Sequence, residues 1–137
     1  MSSLSVIAGI IVTGGNAGGA LTSVELIRAD GTTCTLPELP AARKSHSQAG
    51  LVACGGNGDS GTSTTCDIFA NGTWTPFHTL AVARYHMVSW GSYQGEYASY
   101  PVGVLLMGGG WDDAVQRSTE LVSSSRTEPF PLGYDTR

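Results

Sequence analysis

Residues 51–75 read Leu51-Val-Ala-Cys-Gly-Gly-Asn-Gly-Asp-Ser-Gly-Thr-Ser-Thr-Thr-Cys-Asp-Ile-Phe-Ala-Asn-Gly-Thr-Trp-Thr75. An apolar run closes on Gly55-Gly56, and a loop of small residues follows. Thr65-Cys-Asp-Ile-Phe69 then makes a short strand with one carboxylate, and Asn71-Gly72 turns the chain back into Thr73-Trp-Thr75. Asn-Gly between two β-prone runs is the strongest short signal for a two-residue hairpin, because both residues tolerate φ > 0. The stretch therefore predicts antiparallel strands and no helix.

The same order of parts occurs on both sides of it. Gly-Gly pairs at Gly14-Gly15, Gly55-Gly56 and Gly108-Gly109 are spaced 41 and then 53 residues, and each closes an apolar run. A shift of 41 places Asn16 on Asn57, Gly31 on Gly72, Thr32 on Thr73, Leu39 on Leu80, Ala42 on Ala83 and Arg43 on Arg84. So many identities at one offset mark an internal repeat. Ser23-Val-Glu-Leu-Ile27 and Ser118-Thr-Glu-Leu-Val122 match the carboxylate-bearing strand, and Asp30-Gly31 predicts a second two-residue turn before Thr32-Thr-Cys-Thr-Leu36. Leu39-Pro-Ala-Ala-Arg43 and Leu80-Ala-Val-Ala-Arg84 each lead into a further strand carrying His46 or His86. At the start, Val6, Ile7, Ile10, Ile11 and Val12 read as a buried strand.

Composition agrees with this pattern. The 137 residues suffice for one domain, 1–137, and at 41% hydrophobic they can bury a core. Charged residues make up only 13%, and there are 19 glycines. A formal charge of −4 with seven Lys and Arg argues against a nucleic-acid partner or a polybasic membrane patch. No apolar run is long enough to span a membrane as a helix. The stretch Met1–Thr13 has no basic n-region, so no signal peptide is recognisable, and an extracellular or a cytoplasmic location stays open.

The repeated set resembles the kelch repeat of β-propellers. The residues that carry the resemblance are the apolar strand ending in Gly-Gly, the strand with Glu or Asp, Trp74, and Leu-x-x-x-Arg with a histidine soon after. The resemblance implies an all-β fold of four-stranded blades near residues 1–40, 41–80 and 81–133, somewhat under three in all. Closed propellers need about four to eight blades, so this would be an incomplete, open propeller. It would be part of a longer ring, an incomplete chain, or a unit that self-associates to complete the ring.

Several residues invite chemistry. Cys34, Cys54 and Cys66 are an odd number; one hairpin can join Cys54 to Cys66 in a disulfide, and three reduced buried thiols are the alternative. Asn71-Gly-Thr73 is a glycosylation sequon, although the turn already explains Asn-Gly. The cysteines, His46, His78 and His86 are too scattered for a zinc site, and no cofactor or metal is expected. Gly58-Asp-Ser-Gly61 copies a serine-protease tetrapeptide but occupies a loop where those residues are expected anyway. Gly14–Gly19 precedes a strand with no Lys, which is wrong for a phosphate-binding loop. Glu25, Asp67 and Glu120 recur with the repeat and read as structural, and Trp74 and Trp90 read as packing.

Arg43 and Arg84 have two readings, a face that grips a partner's carboxylates and a structural bridge between loops, and the bridge is favoured. The third unit carries about twelve extra residues around Trp90–Val102. Tyr93, Tyr97 and Tyr100 in it are the main candidates for a contact surface. The expected function is a non-catalytic protein–protein interaction module with a protein partner, using these tyrosines with Arg43 and Arg84. Two alternatives stand beside it. One is part of a secreted copper enzyme, because kelch blades also resemble the central domain of galactose oxidase; the other is a truncated fragment without function.

Overall fold

The computed structural model describes residues 9–92, 104–123 and 127–129. The fold is all-β: every strand pairing is antiparallel, and there is no helix among the described residues. The first sheet contains β1 (Gly9–Thr13), β2 (Val24–Arg28) and β3 (Thr33–Leu36) in the order β1-β2-β3. The second contains β4 (Ser47–Ala49), β5 (Val52–Cys54), β8 (Cys66–Ala70) and β9 (Thr73–Pro76) in the order β4-β5-β8-β9. Between β5 and β8 the chain makes a small separate hairpin of β6 (Asn57–Gly58) and β7 (Gly61–Thr62). The third sheet contains β10 (Val88–Ser92), β11 (Val104–Gly108), β12 (Thr119–Val122) and β13 (Thr127–Pro129), in sequence order.

Side chains alternate across a strand, and the second sheet uses both faces. Val52, Cys54, Cys66 and Ile68 point to one side, where they join Leu80, Met87 and Val122 of the third unit. Ala53 and Trp74 point to the other, where they join Val24 and Leu39, with Phe69 packed alongside. Trp74 also donates its indole N–H to the Pro37 carbonyl at 2.8 Å, so it is a packing residue between the first and second sheets.

The glycine pairs allow the sheets to approach. Gly14-Gly15, Gly55-Gly56 and Gly109-Gly110 all have positive φ. In the third unit the pair lies one residue later than the spacing of Gly108-Gly109 predicted, because Gly108 is still paired within β11 opposite Thr119. The first glycine of each pair donates to a strand carbonyl in its own unit: Gly14 to Ser23, Gly55 to Thr65 and Gly109 to Ser118. The second glycine reaches the next unit, Gly15 N–H to the Arg43 carbonyl and Gly56 N–H to the Arg84 carbonyl, each at 2.9 Å.

The turns divide the expectation. Asn71 and Gly72 have φ of 53° and 78°, and Ala70 pairs with Thr73, which is the two-residue hairpin predicted. Asp30-Gly31 is different. Gly31 has φ of 86° and donates to the Arg28 carbonyl at 2.9 Å, while Arg28 N–H donates to Thr32, so the loop has three residues. Asp30 avoids positive φ because its carboxylate accepts from the Thr32 hydroxyl at 2.6 Å and the Thr32 N–H at 2.9 Å. Those bonds, the hydroxyl first, hold the Asp30 carboxyl below its ordinary value.

Of the strand expected at the start, Ile10, Ile11 and Val12 are in β1, Val6 and Ile7 lie outside the described residues, and β1 is not buried throughout. Ile10 is 67% and Val12 44% exposed, because they point away from the second sheet, on the face where no further sheet packs among the described residues.

Close approach at Gly55 gives a direct test. A Cβ there would lie 2.6 Å from the Arg84 carbonyl and 2.2 Å from the Met87 methyl, whereas one at Gly72 would meet nothing within 4 Å. Gly72→Ala should cost about 1–2 kcal/mol, the usual penalty for a left-handed residue with a Cβ. Gly55→Ala should cost at least about twice that, since a backbone oxygen must also move. Urea midpoints of the two variants measure the difference.

Candidate functional site

The recurring arginines define the best-built polar site among the described residues. Each stands four residues before the first strand of its sheet, Arg43 before β4 and Arg84 before β10. Just beyond each, Ser45 and His86 adopt left-handed φ of 54° and 53°. A non-glycine residue in that region is strained, and here the strain recurs at the same repeat position. It redirects the chain between the arginine and the strand.

Arg43 Nη1 donates to the Gly55 carbonyl at 3.1 Å and the Thr65 carbonyl at 3.0 Å. Its Nη2 donates to Thr65 Oγ1 at 3.1 Å and Asp67 Oδ2 at 2.6 Å. Arg84 repeats the set: Nη1 to Gly109 at 2.8 Å and Ser118 at 2.9 Å, Nη2 to Ser118 Oγ at 2.7 Å and Glu120 Oε2 at 2.6 Å. Arg43 is 1% and Arg84 0% exposed. Glutamate is one methylene longer than aspartate, and Glu120 uses the extra reach to accept the Ala81 N–H at 2.5 Å and the Val82 N–H at 3.3 Å. Arg84 Nε approaches the Val82 carbonyl at 3.5 Å, while Arg43 Nε is buried without a partner. Burial pushes the Asp67 carboxyl above its ordinary value, against the pull of Arg43, and likewise lowers the Arg43 guanidinium, against the pull of Asp67.

This corrects the view of Arg43 and Arg84 as residues gripping a partner. Both guanidinium groups are enclosed and committed to acceptors within the chain. Their carbonyls, meanwhile, accept from Gly15 and Gly56 of the preceding sheet. Each arginine therefore holds two sheets at once, by its backbone to one and by its side chain to the other. Glu25 holds the equivalent place in the first sheet, yet it is exposed and has no ion pair among the described residues.

No protein-family model matches this chain, and no curated protein matches it.

The remaining candidates separate. Cys54 and Cys66 are register partners on β5 and β8 and form a disulfide. The flanking bonds, Gly55 N–H to Thr65 and Phe69 N–H to Leu51, make 54/66 a non-hydrogen-bonded pair, the closer of the two pair types in an antiparallel ladder. Cys34 is free and half-buried, with Arg28 Nη2 at 3.4 Å from its sulfur. Asn71 is exposed at its hairpin tip. Asp59 and Ser60 form the exposed turn of the β6–β7 hairpin, as a loop reading requires. Tyr93, Tyr97 and Tyr100 lie outside the described residues, as does all of the connection between β10 and β11. Among the described residues no three His, Cys, Asp or Glu side chains converge as a metal site would require.

His46 is the residue that sequence reasoning missed. The Thr13 hydroxyl donates to Gln48 Oε1 at 2.7 Å, so its oxygen must accept from His46 Nε2, also at 2.7 Å. The proton therefore sits on Nε2, and Nδ1 is buried with no partner. The ring lies between Gly14 of the first sheet and Gly56 of the second, as Met87 lies between Gly55 and Gly110 one interface on. The signal was present: the offset of 41 that aligns the arginines places His46 on Met87, a polar residue at an otherwise apolar position. Burial, and then the charge of Arg43, pull the His46 pKa from 6.5 to about 4.

Two outcomes follow. Arg84→Met, which strands Glu120, should cost about 3–5 kcal/mol in urea unfolding, and Arg84→Met with Glu120→Leu should recover much of it. For His46 the folded state holds its proton less tightly than the unfolded chain. Its contribution is complete above pH 6.5, is lost as the pH falls towards about 4, and levels off below that. The full loss is about 3 kcal/mol. Unfolding measured across this window should show that slope in the native chain, and His46→Met should remove it.

Proposed function

We propose that the three sheets are blades of an incomplete kelch-type β-propeller and that the chain serves as a non-catalytic protein-interaction module. The observation that carries the reading is the twice-repeated arginine fork. Each copy joins a glycine pair, a Ser or Thr and a carboxylate within one sheet to the backbone of the sheet before it. A ring of radially arranged sheets needs such a device at every sheet-to-sheet step. Here the recurring polar residues are consumed by the frame, so recognition falls to the parts that vary between units.

Those parts lie at opposite ends of the strands. The glycine-pair end carries the hairpin at Asn57–Thr62 and the tight turns closed by the Asn16–Ala20 and Trp111–Val115 bridges. On the third of these Trp111 and Val115 are 41% and 65% exposed. The connection holding Tyr93, Tyr97 and Tyr100 leaves from the other end, since Ser92 pairs with Val104 and Val88 with Gly108. The Asn71 turn is at that end as well, away from the Cys54–Cys66 pair.

Light scattering after size exclusion, with far-UV dichroism on the peak, tests the architecture. Three blades alone leave an apolar face at each end, so a β-rich species heavier than the 14.2 kDa monomer is expected. A folded, soluble monomer would count against the propeller. For function, a protein captured by the chain should be released by Tyr93→Ala, Tyr97→Ala and Tyr100→Ala together. Loss on Trp111→Ala instead would move the contact to the glycine-pair end.

A further inference from the structure

We propose that Asn71 is the acceptor of an N-linked glycan and that the protein matures in an oxidising, glycan-transferring compartment. The inference stands apart from the interaction-module reading, because it rests on one turn and one disulfide.

The internal repeat supplies the comparison. The offset of 41 places Asp30-Gly31-Thr32 on Asn71-Gly72-Thr73, so the same turn position carries Asp in the first sheet and Asn in the second. In the first sheet the Asp30 carboxylate accepts from the Thr32 hydroxyl and the Thr32 N–H, and both side chains are engaged. In the second, the hairpin closes with Ala70 opposite Thr73. There neither the Asn71 amide nor the Thr73 hydroxyl makes a hydrogen bond among the described residues. These are the two groups of a glycosylation acceptor, an amide nitrogen and a hydroxyl two residues on. Both are free.

The turn is also open to a large substituent. Asn71, Gly72 and Thr73 are all exposed, and a Cβ added at Gly72 would meet nothing within 4 Å. The φ angles of 53° and 78° put Asn71 and Gly72 at the apex of the hairpin, at the end of the sheet away from the glycine pairs. The aromatic pair next to the turn, Phe69 and Trp74, is spent on the first sheet, where it packs with Val24 and Leu39. The other asparagines do not compete: Asn16 is followed by Ala17-Gly18 and Asn57 by Gly58-Asp59, neither of which completes an acceptor.

A second, independent observation gives the compartment. Cys54 and Cys66 form a disulfide within the same sheet, and both are buried. Structural disulfides form and persist in oxidising compartments and are rare where thiols are kept reduced. N-linked glycans are transferred in such a compartment. In the transfer Asn71 Nδ2 attacks the anomeric carbon of a lipid-pyrophosphate-linked oligosaccharide. The C–N bond forms, the bond from that carbon to the pyrophosphate oxygen breaks, the lipid pyrophosphate leaves, and the amide gives up one proton to a base of the transferring enzyme.

The test begins with the full chain purified from the cells that produce it, treated in heavy-oxygen water with an amidase that cleaves N-linked glycans. Cleavage converts a glycosylated asparagine to aspartate carrying heavy oxygen, whereas earlier deamidation of the Asn-Gly turn carries ordinary oxygen. Mass spectrometry should find the heavy label at residue 71, above a parallel sample without amidase; its absence overturns the inference. The residues are tested by directing the chain into the endoplasmic lumen of a eukaryotic host. One glycan is expected on the native protein, abolished by Asn71→Gln and by Thr73→Ala, retained by Thr73→Ser and unaffected by Asn57→Gln. Thr73→Ala keeps the Asn-Gly turn, so loss of the glycan is still read if the Asn71 variant does not fold. A folded native chain without the glycan, or a glycan that survives either Asn71→Gln or Thr73→Ala, would equally overturn it.

Discussion

The structure depends on one interaction, a buried arginine that serves two sheets. Burying a guanidinium is costly, and pairing it with a single carboxylate seldom offsets that cost. Here each arginine also meets two backbone carbonyls and a hydroxyl, so nearly all its donors are used. The carbonyls come from residues that the sheet itself holds in place, one of them the first glycine of the pair. A side chain at Gly55 would collide with the Arg84 carbonyl of the next unit. The glycine pair, the Ser or Thr, the carboxylate and the arginine thus form a single device, and none of them makes sense without the rest.

The apolar packing follows from that device. Once the arginine sets the spacing between sheets, the residue three positions on lies between the glycines of neighbouring sheets. Met87 fills this place at one interface and His46 at the other. Methionine, flexible and apolar, suits a gap of irregular shape. Histidine suits it only when neutral and hydrogen-bonded, and Thr13 and Gln48 supply that condition. Gln48 Nε2 in turn donates to the Ile11 carbonyl at 3.2 Å. The first interface is therefore polar where the second is greasy. On the other face of the second sheet the Cys54–Cys66 bridge fixes β5 to β8 within the cluster that Met87 joins.

Much of this was legible in the residues. The apolar runs, the glycine pairs and the Asn71-Gly72 turn each have a local cause, and local causes can be read from local sequence. The turn at Asp30-Gly31 misled because the deciding group, the Thr32 hydroxyl, lies outside the dipeptide. The third glycine pair was misplaced by one because three consecutive glycines offer two registers, and only strand pairing chooses between them. Arg43 and Arg84 were harder. Their recurrence marked them as part of the repeat, but an arginine in a loop has no periodicity to show which way it points. Ser45 and His86, whose left-handed backbone redirects the chain beside them, are not residue types that announce it.

The same logic makes the two ends of the array unlike each other. The first sheet offers acceptors, Glu25 among them, and no described arginine pairs with that carboxylate. The third sheet offers a donor: Gly110 N–H, equivalent to Gly15 and Gly56, meets no arginine carbonyl among the described residues. Ends that differ can be joined only head to tail, and such a contact would either close into a ring or run on. Which of the two would follow depends on the angle between successive sheets, and that angle is held by the arginine fork. The interaction that organises each interface within the chain is therefore also the one that would govern how the array continues beyond it.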